Sequence, residues 1–231
     1  MLEQLKEKVL QANLRLQSSG LVILTWGNVS EIDEETKLVA IKPSGVPYEN
    51  MTAKDIVIVN LEGDIIEGNL RPSSDLPTHL QLYKRYPTIK GICHTHSKWA
   101  TIFSQANKSI EILGTTHADY FHGDIPVTRI LSEQEAREAY ELNTGNVIIE
   151  KIDKKDPLEI PAILCGGHGP FTFGTSGEKA VENAIVLEFV AEMAYYTRNL
   201  NNQNDLFKTY IGDIHYYRKH GKNAYYGQVK K

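Results

Sequence analysis

Cysteine is scarce in this sequence. The 231 residues include two cysteines, Cys93 and Cys165, and both stand in apolar, strand-like runs. Two cysteines are too few for the disulfide framework of a small secreted protein, and buried thiols suit a reducing compartment. We therefore expect a cytoplasmic protein that is held together by its apolar core.

Long apolar runs and an excess of positive charge are also missing. The N-terminal stretch MLEQLKEKVL carries charge throughout, which is typical neither of a signal peptide nor of a membrane span. Lysine and arginine number 25 against 29 acidic residues, a net charge of -4. A nucleic-acid surface needs a concentrated basic patch. The sequence thus predicts no nucleic-acid or membrane partner, whereas a small anionic ligand would need only a local site.

Helical and extended patterns alternate along the chain. Capping-box pairs, Ser132 with Glu135 and Thr175 with Glu178, predict the starts of two helices. Further helices are predicted near 2–16, 77–86, 97–105 and 206–219, and strands near 55–61, 89–94, 125–130, 160–165 and 170–173. This alternation predicts an α/β fold, or mixed α+β layers around one sheet.

Two histidines, His94 and His96, stand one residue apart after an apolar stretch. Alternate side chains of a strand share a face, so the two Cα atoms would lie about 7 Å apart. Two imidazoles at this spacing can converge on one metal ion, or they can be unrelated histidines at a strand end. The pair by itself leaves both interpretations open.

A third histidine, His168, is enclosed by glycines in GGHGP. Glycine contributes no packing but lets backbone and substrate approach closely, which favours a ligand over a structural histidine. Three histidines at strand ends would leave coordination positions open for substrate, as catalytic metal sites do. The remaining histidines lack such spacing and are interpreted as ordinary surface or core residues: His79, His117, His122, His215 and His220.

Three loops offer groups that suit a phosphate or a polyol. Asp75 precedes a predicted helix in RPSSDLP, where an aspartate is most often a cap. Ser73 and Ser74 bring hydroxyls and amides to the same helix N-terminus, which favours an anion. The stretches TWGN and KPSG add amide donors, a hydroxyl and the cation of Lys42. None of these loops is specific by itself.

Asp119 lies among small and aromatic residues in GTTHADYF. Desolvation by such neighbours could raise its pKa and make it a proton carrier. The plainer interpretation of this stretch is a loop aspartate with satisfied hydrogen bonds. Tyr226 lies in the polar tail segment AYYG, where a tyrosine most often serves to dock the tail against the rest of the fold.

Seven short motifs follow one another along the chain: TWGNVS, KPSG, PSSD, HTHS, GTTHADYF, GHGPF and AYYGQ. Together they resemble the L-ribulose-5-phosphate 4-epimerase family of the class II aldolase and adducin-like superfamily. The resemblance runs in order from residue 1 to the tail. It implies a single catalytic domain over residues 1–231, with an α/β/α layered, class II aldolase-like fold around a central, largely antiparallel β-sheet.

The resemblance also implies roles for individual residues. The implied metal ligands are Asp75, His94, His96 and His168, and the metal is zinc, with manganese or cobalt as alternatives. The implied substrate and phosphate contacts are Gly27, Asn28, Lys42, Ser44, Gly45, Ser73 and Ser74. Asp119 and Tyr226 are the implied proton-transfer pair. No redox cofactor is implied.

The resemblance extends to partners and pathway. It implies a phosphorylated ketopentose as substrate and a homotetramer with active sites between subunits. It also implies a role in carbohydrate metabolism, in arabinose catabolism or in another pentose or ascorbate route.

The implied reaction interconverts L-ribulose 5-phosphate and D-xylulose 5-phosphate. Carbon 4 bears no acidic C–H, so inversion requires that the bond between carbons 3 and 4 break and reform, with a divalent ion as Lewis acid. A class II sugar-phosphate aldolase similar to L-fuculose-phosphate aldolase shares the first half of this reaction, but such aldolases carry Glu where this chain has Asp75. The other alternative is a non-catalytic adducin-like binding protein, which should have lost the histidines.

Overall fold

A computed structural model describes residues 2–203, 206–222 and 224–227. The helices are Leu2–Ser18 (α1), Leu76–Arg85 (α2), Lys98–Gln105 (α3), Thr115–Ala118 (α4), Glu133–Ile152 (α5), Gly177–Leu200 (α6) and Thr209–His220 (α7). The strands are Asn28–Ile32 (β1), Val39–Ile41 (β2), Val57–Val59 (β3), Ile65–Glu67 (β4), Gly91–His94 (β5), Ala162–Leu164 (β6) and Pro170–Gly174 (β7). Two short 3-10 helices, Tyr48–Asn50 and Ala53–Asp55, lie between β2 and β3.

One antiparallel sheet organises the described residues. Its seven strands follow the order β4-β3-β2-β1-β5-β7-β6, and each neighbouring pair is antiparallel. His94, the last residue of β5, lies opposite Asn28 on one side and Phe171 on the other. The centre of the sheet therefore brings the start of β1, the end of β5 and the start of β7 to one place.

Helices cover both faces of this sheet. Because strand side chains alternate between faces, Val39 and Val57 pack with α2 and α5, whereas Ala40 and Ile58 pack with α1. On the α1 face, α6 also packs against β5 and β7. The predicted α/β/α layering around a largely antiparallel sheet is confirmed.

The predicted strand at 125–130 is wrong. In this stretch only Ile125 and Val127 form isolated bridges, with Ile110 and Leu164 respectively. Pro126 lies between them and has no N–H to donate to a ladder. The segment therefore runs beside β6 without becoming a strand.

One of the two predicted capping boxes is correct. Ser132 accepts a hydrogen bond from the Glu135 amide at 3.3 Å, and Glu135 accepts from the Ser132 amide at 2.8 Å. The box predicted at Thr175 and Glu178 is wrong. Ser176 caps α6 instead, and the Glu178 side chain pairs with Arg15 at 2.9 Å.

Helix length and composition bear on the membrane question. Among the described residues, no helix combines the length and apolar character that a bilayer crossing requires.

Candidate active site

Three histidines converge at the end of the central strands. One ligand atom from each of His94, His96 and His168 can be chosen so that all three lie within 4.8 Å of one another. The Nε2 atoms of His94 and His96 are 3.2 Å apart. Two nitrogens bound to one zinc ion at 2.0–2.1 Å in tetrahedral geometry would be roughly 3.4 Å apart. The cluster therefore fits a single divalent ion.

Hydrogen bonding fixes the orientation and the tautomer of His94. Its Nδ1 lies 2.9 Å from the carbonyl oxygen of Pro170, which can only accept. In the neutral imidazole Nδ1 carries the proton, and Nε2 then presents a lone pair toward His96. Its ring also stacks on Phe171, with the centroids 4.2 Å apart. An imidazole held in this orientation, with Nε2 directed at the cluster, suits a metal ligand.

The neutral form is favoured in the other two histidines. Burial and the neighbouring His94 and His96 together lower the pKa of His168 to about 3, with burial the largest cause. Burial also lowers the pKa of His96, again with a contribution from His94. Among the described residues, His168 Nδ1 is a buried atom without a hydrogen-bond partner, which suits a site where a further ligand or ion completes the set.

Asp75 lies beside this cluster, next to His94, and does not act as a helix cap. It occupies the N-cap position of α2, but its side chain makes no capping bond. Instead Oδ2 accepts from Asn28 Nδ2 at 2.7 Å and lies 4.0 Å from His94 Nε2. Burial acts to raise the pKa of the Asp75 carboxyl, but the imidazoles of His94 and His79 and the amide of Asn28 outweigh it and hold the pKa below its usual value.

Gly169 allows the loop that carries His168 to reach the other two histidines. A Cβ at this position would lie 2.6 Å from the Thr95 carbonyl oxygen and 3.2 Å from His96 Cδ2. Real Cβ atoms do not approach so closely, so any other residue would push the loop away from β5. The expectation that a glycine beside His168 serves close approach is consistent with this contact.

Two loops are tied together beside the histidines. The Ser73 amide donates to the Lys42 carbonyl oxygen at 2.9 Å, and the Ser44 amide donates to the Arg71 carbonyl oxygen at 2.9 Å. These bonds hold the KPSG loop against the loop that leads into α2. The serines of both loops are thereby brought close to one another.

The side chain of Lys42 is buried next to these two loops. Its ammonium lies 3.0 Å from the Val46 carbonyl oxygen, with longer contacts to two other carbonyls, and 4.7 Å from the ring centroid of Tyr48. Burial lowers the pKa of Lys42 to about 8. An anion bound nearby would favour the charged form of this buried amine.

One cavity of about 380 Å³ contains both sets of groups. It is lined by every residue for which the resemblance implies a metal or substrate contact: Gly27, Asn28, Lys42, Ser44, Gly45, Ser73, Ser74, Asp75, His94, His96 and His168. Tyr140 and Glu141 also line it and were not foreseen, because nothing in the helical sequence EAYEL distinguishes them from a solvated helix face. Trp26 lines it as well, with its ring centroid 6.1 Å from that of His96.

Asp119 lies in a different cluster. Its carboxylate receives two hydrogen bonds from Arg218 Nη2, at 3.1 and 2.9 Å, and lies 3.1 Å from His215 Nδ1. Burial acts to raise the pKa of Asp119, but Arg218 and His215 outweigh it and lower the pKa below its usual value. The suggestion of a raised pKa is therefore wrong, and the plainer interpretation, an aspartate with satisfied hydrogen bonds, is confirmed.

Tyr226 belongs to the cluster of Asp119. The Tyr226 amide donates to the Arg218 carbonyl oxygen at 3.1 Å, and the Arg218 guanidinium lies 5.0 Å from the tyrosine ring centroid. Within the described part of the chain, neither Asp119 nor Tyr226 lines the cavity of the histidines. The fold thus brings the proton-transfer candidates together, but apart from the metal candidates. Gln228, the last residue of the tail motif, lies outside the described residues.

The family follows from comparison with known proteins. The model described as Class II Aldolase and Adducin N-terminal domain matches residues 7–195. The chain belongs to this family. Members of the superfamily related to it are enzymes, and class II aldolases use a divalent metal, typically zinc, which the triad of His94, His96 and His168 could bind.

Solved structures of the family share the fold. An L-fuculose 1-phosphate aldolase matches with 21% identity, 92% of this chain and 94% of that chain covered, and a TM-score of 0.74. The L-fuculose 1-phosphate aldolase from Glaciozyma antarctica matches with 21% identity, coverage of 96% and 84%, and a TM-score of 0.76. The L-fuculose-1-phosphate aldolase from Thermus thermophilus matches with 25% identity, coverage of 88% and 100%, and a TM-score of 0.68.

Proposed function

We propose that the protein is a metal-dependent L-ribulose-5-phosphate 4-epimerase. The observation that carries this proposal is the position of Asp75, whose carboxylate is held by Asn28 within 4.0 Å of His94 Nε2. A carboxylate so placed serves as a fourth ligand and is not free to act as the base. Other groups must then transfer the protons of the reaction, one on each face of the aldehyde, as epimerisation requires.

The substrate-binding groups follow from the cavity lining. We propose that the phosphate is held by the serines of the two tied loops and by Lys42, whose charged form an anion would favour. The full proposed set is Gly27, Asn28, Lys42, Ser44, Gly45, Ser73 and Ser74. Holding the phosphate end still lets the aldehyde fragment turn without leaving the site.

A divalent ion, zinc or in its place manganese or cobalt, held by Asp75 and the three histidines, would act as a Lewis acid and stabilise the negative charge released by carbon–carbon cleavage. Asp119 or Tyr226 removes the proton of the carbon-4 hydroxyl. The bond between carbons 3 and 4 then breaks to give glycolaldehyde phosphate and the enediolate of dihydroxyacetone. After the aldehyde turns, the bond reforms on its other face and the second group protonates the new alkoxide.

Asp119 and Tyr226 would reach this cavity from a neighbouring subunit. Their own cluster lies apart from the histidines of the same chain, which supports active sites built between subunits. We therefore propose a homotetramer in which each chain forms one catalytic domain over residues 1–231, of which the last four lie outside the described residues. The phosphorylated ketopentose is its substrate in a cytoplasmic arabinose pathway.

The proposal is tested with purified, zinc-loaded protein and L-ribulose 5-phosphate. We expect D-xylulose 5-phosphate to form, and a chelator to abolish its formation. A sugar-phosphate aldolase is the second candidate, favoured by the aldolase with 25% identity among the matched structures. Cleavage of L-fuculose 1-phosphate with no epimerisation would select the aldolase, and inactivity on both sugars with zinc bound would reject both enzymes.

A further inference from the structure

Tyr140 lines the cavity but has no role in the scheme above. Its ring centroid lies 5.7 Å from that of His168, and the residue is 40% exposed. In the part of the chain that the structure describes, its hydroxyl has no hydrogen-bond partner. A phenol that lines a polar cavity with its donor unused is available to a bound molecule.

A break in α5 precedes Tyr140. Ala139 has φ −162° and ψ 76°, so the helix stops there and restarts at Tyr140. The restart is anchored to α2, because Thr78 Oγ1 donates to the Glu141 carbonyl oxygen at 2.5 Å. Since α2 begins directly after Asp75, one helix supports both a proposed metal ligand and Tyr140. A group fixed in this way can contribute to binding with little loss of conformational entropy.

The charges near Tyr140 restrict what its hydroxyl can bind. Asp75 and Glu141 line the same cavity and both act electrostatically on the phenol. The groups proposed to bind the phosphate, Lys42 and the serines, lie instead in the two loops that are hydrogen-bonded to each other. A phosphate dianion beside Tyr140 would meet two carboxylates, whereas an uncharged hydroxyl or carbonyl oxygen would not be repelled.

We infer that the Tyr140 hydroxyl donates a hydrogen bond to an uncharged oxygen of the sugar chain, beside His168. It thereby positions the end of the substrate that does not carry the phosphate. The identity of the sugar rests on the proposed function, but the contact requires only a hydroxy ketone or a similar polyol. If Tyr140 only packed against His168, its ring alone would suffice. Removal of the hydroxyl therefore distinguishes a packing role from a hydrogen-bonding role.

The substitution Tyr140→Phe removes the hydroxyl and keeps the ring. With zinc-loaded protein, we expect dihydroxyacetone to bind about fivefold more weakly in an NMR titration, because one neutral hydrogen bond is lost. The affinity for inorganic phosphate and the zinc content should not change. The KM for L-ribulose 5-phosphate should rise by a similar factor. Tyr195→Phe is the matched control, since Tyr195 is 42% exposed and does not line the cavity.

Three results would overturn the inference: dihydroxyacetone bound equally well by Tyr140→Phe, zinc lost with the hydroxyl, or a wild type that binds phosphate but not dihydroxyacetone. Its failure is distinguishable from failure of the proposed function. If the wild type does not epimerise but Tyr140→Phe still weakens dihydroxyacetone binding, the contact stands and the epimerase proposal falls. If the wild type epimerises and dihydroxyacetone binding is unchanged, the contact falls alone.

Discussion

His94, His96 and His168 differ in exposure although they share one cluster. His94 is buried and fixed by Pro170, His168 is partly buried, and His96 is exposed. A set of candidate ligands that is buried on one side and exposed on the other can hold an ion and still leave a coordination position open to substrate. At the scale of single residues, burial and the neighbouring imidazoles lower the pKa of His96 and His168, and the hydrogen bond to Pro170 orients His94.

His96→Asn is expected to cost the protein most of its metal, because an amide is a far weaker ligand for zinc than an imidazole. Metal content after dialysis is measured by elemental analysis. His122→Asn is the control, since His122 pairs with Asp213 outside the cluster and its loss should leave the metal in place. Full occupancy in His96→Asn would reject the assignment of His96 as a ligand.

His117 gives a prediction about acid stability. Burial lowers its pKa to about 4 in the folded protein, and Nε2 lies 2.8 Å from the Gly123 carbonyl oxygen. The unfolded chain has a His pKa near 6.5, so the folded protein binds fewer protons. The stabilisation is complete above pH 6.5 and is lost as the pH falls toward 4.

The substitution His117→Gln keeps a donor at this position but cannot titrate. Between pH 7 and pH 5 the wild type should lose about 2 kcal/mol more unfolding free energy than the variant. Urea unfolding at the two pH values measures the difference, and shared titrations cancel in the comparison. Equal losses in both proteins would mean that His117 is charged when folded or is not coupled to folding.

At the scale of elements, strand β5 is the element on which the site depends. It pairs with β1 and β7 on its two sides and carries His94 at its end. At its start, Gly91 lies against the N-terminus of α6. A Cβ there would lie 2.1 Å from the Ser176 carbonyl carbon and 2.3 Å from the Gly177 amide nitrogen. Strand and helix can meet at this distance only with glycine between them.

Gly91→Ala is expected to destabilise the fold by about 3 kcal/mol or more, because the clash is with backbone that cannot rotate away. Urea unfolding measures the change. Gly114→Ala is the matched control, because a Cβ at Gly114 meets nothing within 4 Å and its φ of −174° is open to any residue. Alanine is a poorer N-cap than glycine, so this control should lose about 1 kcal/mol, clearly less than Gly91→Ala. If both variants unfold at the same urea concentration, the close approach of β5 and α6 does not constrain the fold.

At the scale of the whole molecule, two polar clusters lie apart in one chain. One is the cavity of the histidines, and the other is the cluster of Asp119 with Arg218. Large apolar side chains are exposed on α6 and α7, among them Leu200 at 90% and Tyr210 at 63%. Exposed apolar surface of this kind favours association. A neighbouring subunit would both cover it and bring the second cluster to the cavity.

Mixed assemblies test this arrangement. His96→Asn and Asp119→Asn should each be nearly inactive, the second by about 10²–10⁴-fold. If each site takes its histidines from one chain and Asp119 from the next, random mixing of equal amounts restores about a quarter of the sites. Epimerase activity is assayed after unfolding and refolding the two variants together and separately. A mixture no more active than its components would place the whole site within one chain.

The sequence determined the chemistry of the candidate site and most of the elements that carry it. Glycines around His168, alternate histidines after an apolar run, and serines before a helix are local signals, because each depends on backbone conformation over a few residues. The capping box at Ser132 was predictable for the same reason. The cap of α6 at Ser176 rather than Thr175 was not predictable, because Glu178 pairs with Arg15, a residue distant in sequence.

Only the tertiary structure decided which groups meet. Position alone favoured a cap for Asp75 and only the resemblance implied a ligand; the structure places its carboxylate beside His94, because β1 brings the Asn28 amide next to it. It paired Asp119 with Arg218, which lowered a pKa that local aromatic neighbours alone could have raised. It also brought Tyr140 to the cavity through a break in α5. Each of these depends on contacts between residues far apart in the chain, and local sequence patterns carry no record of such contacts.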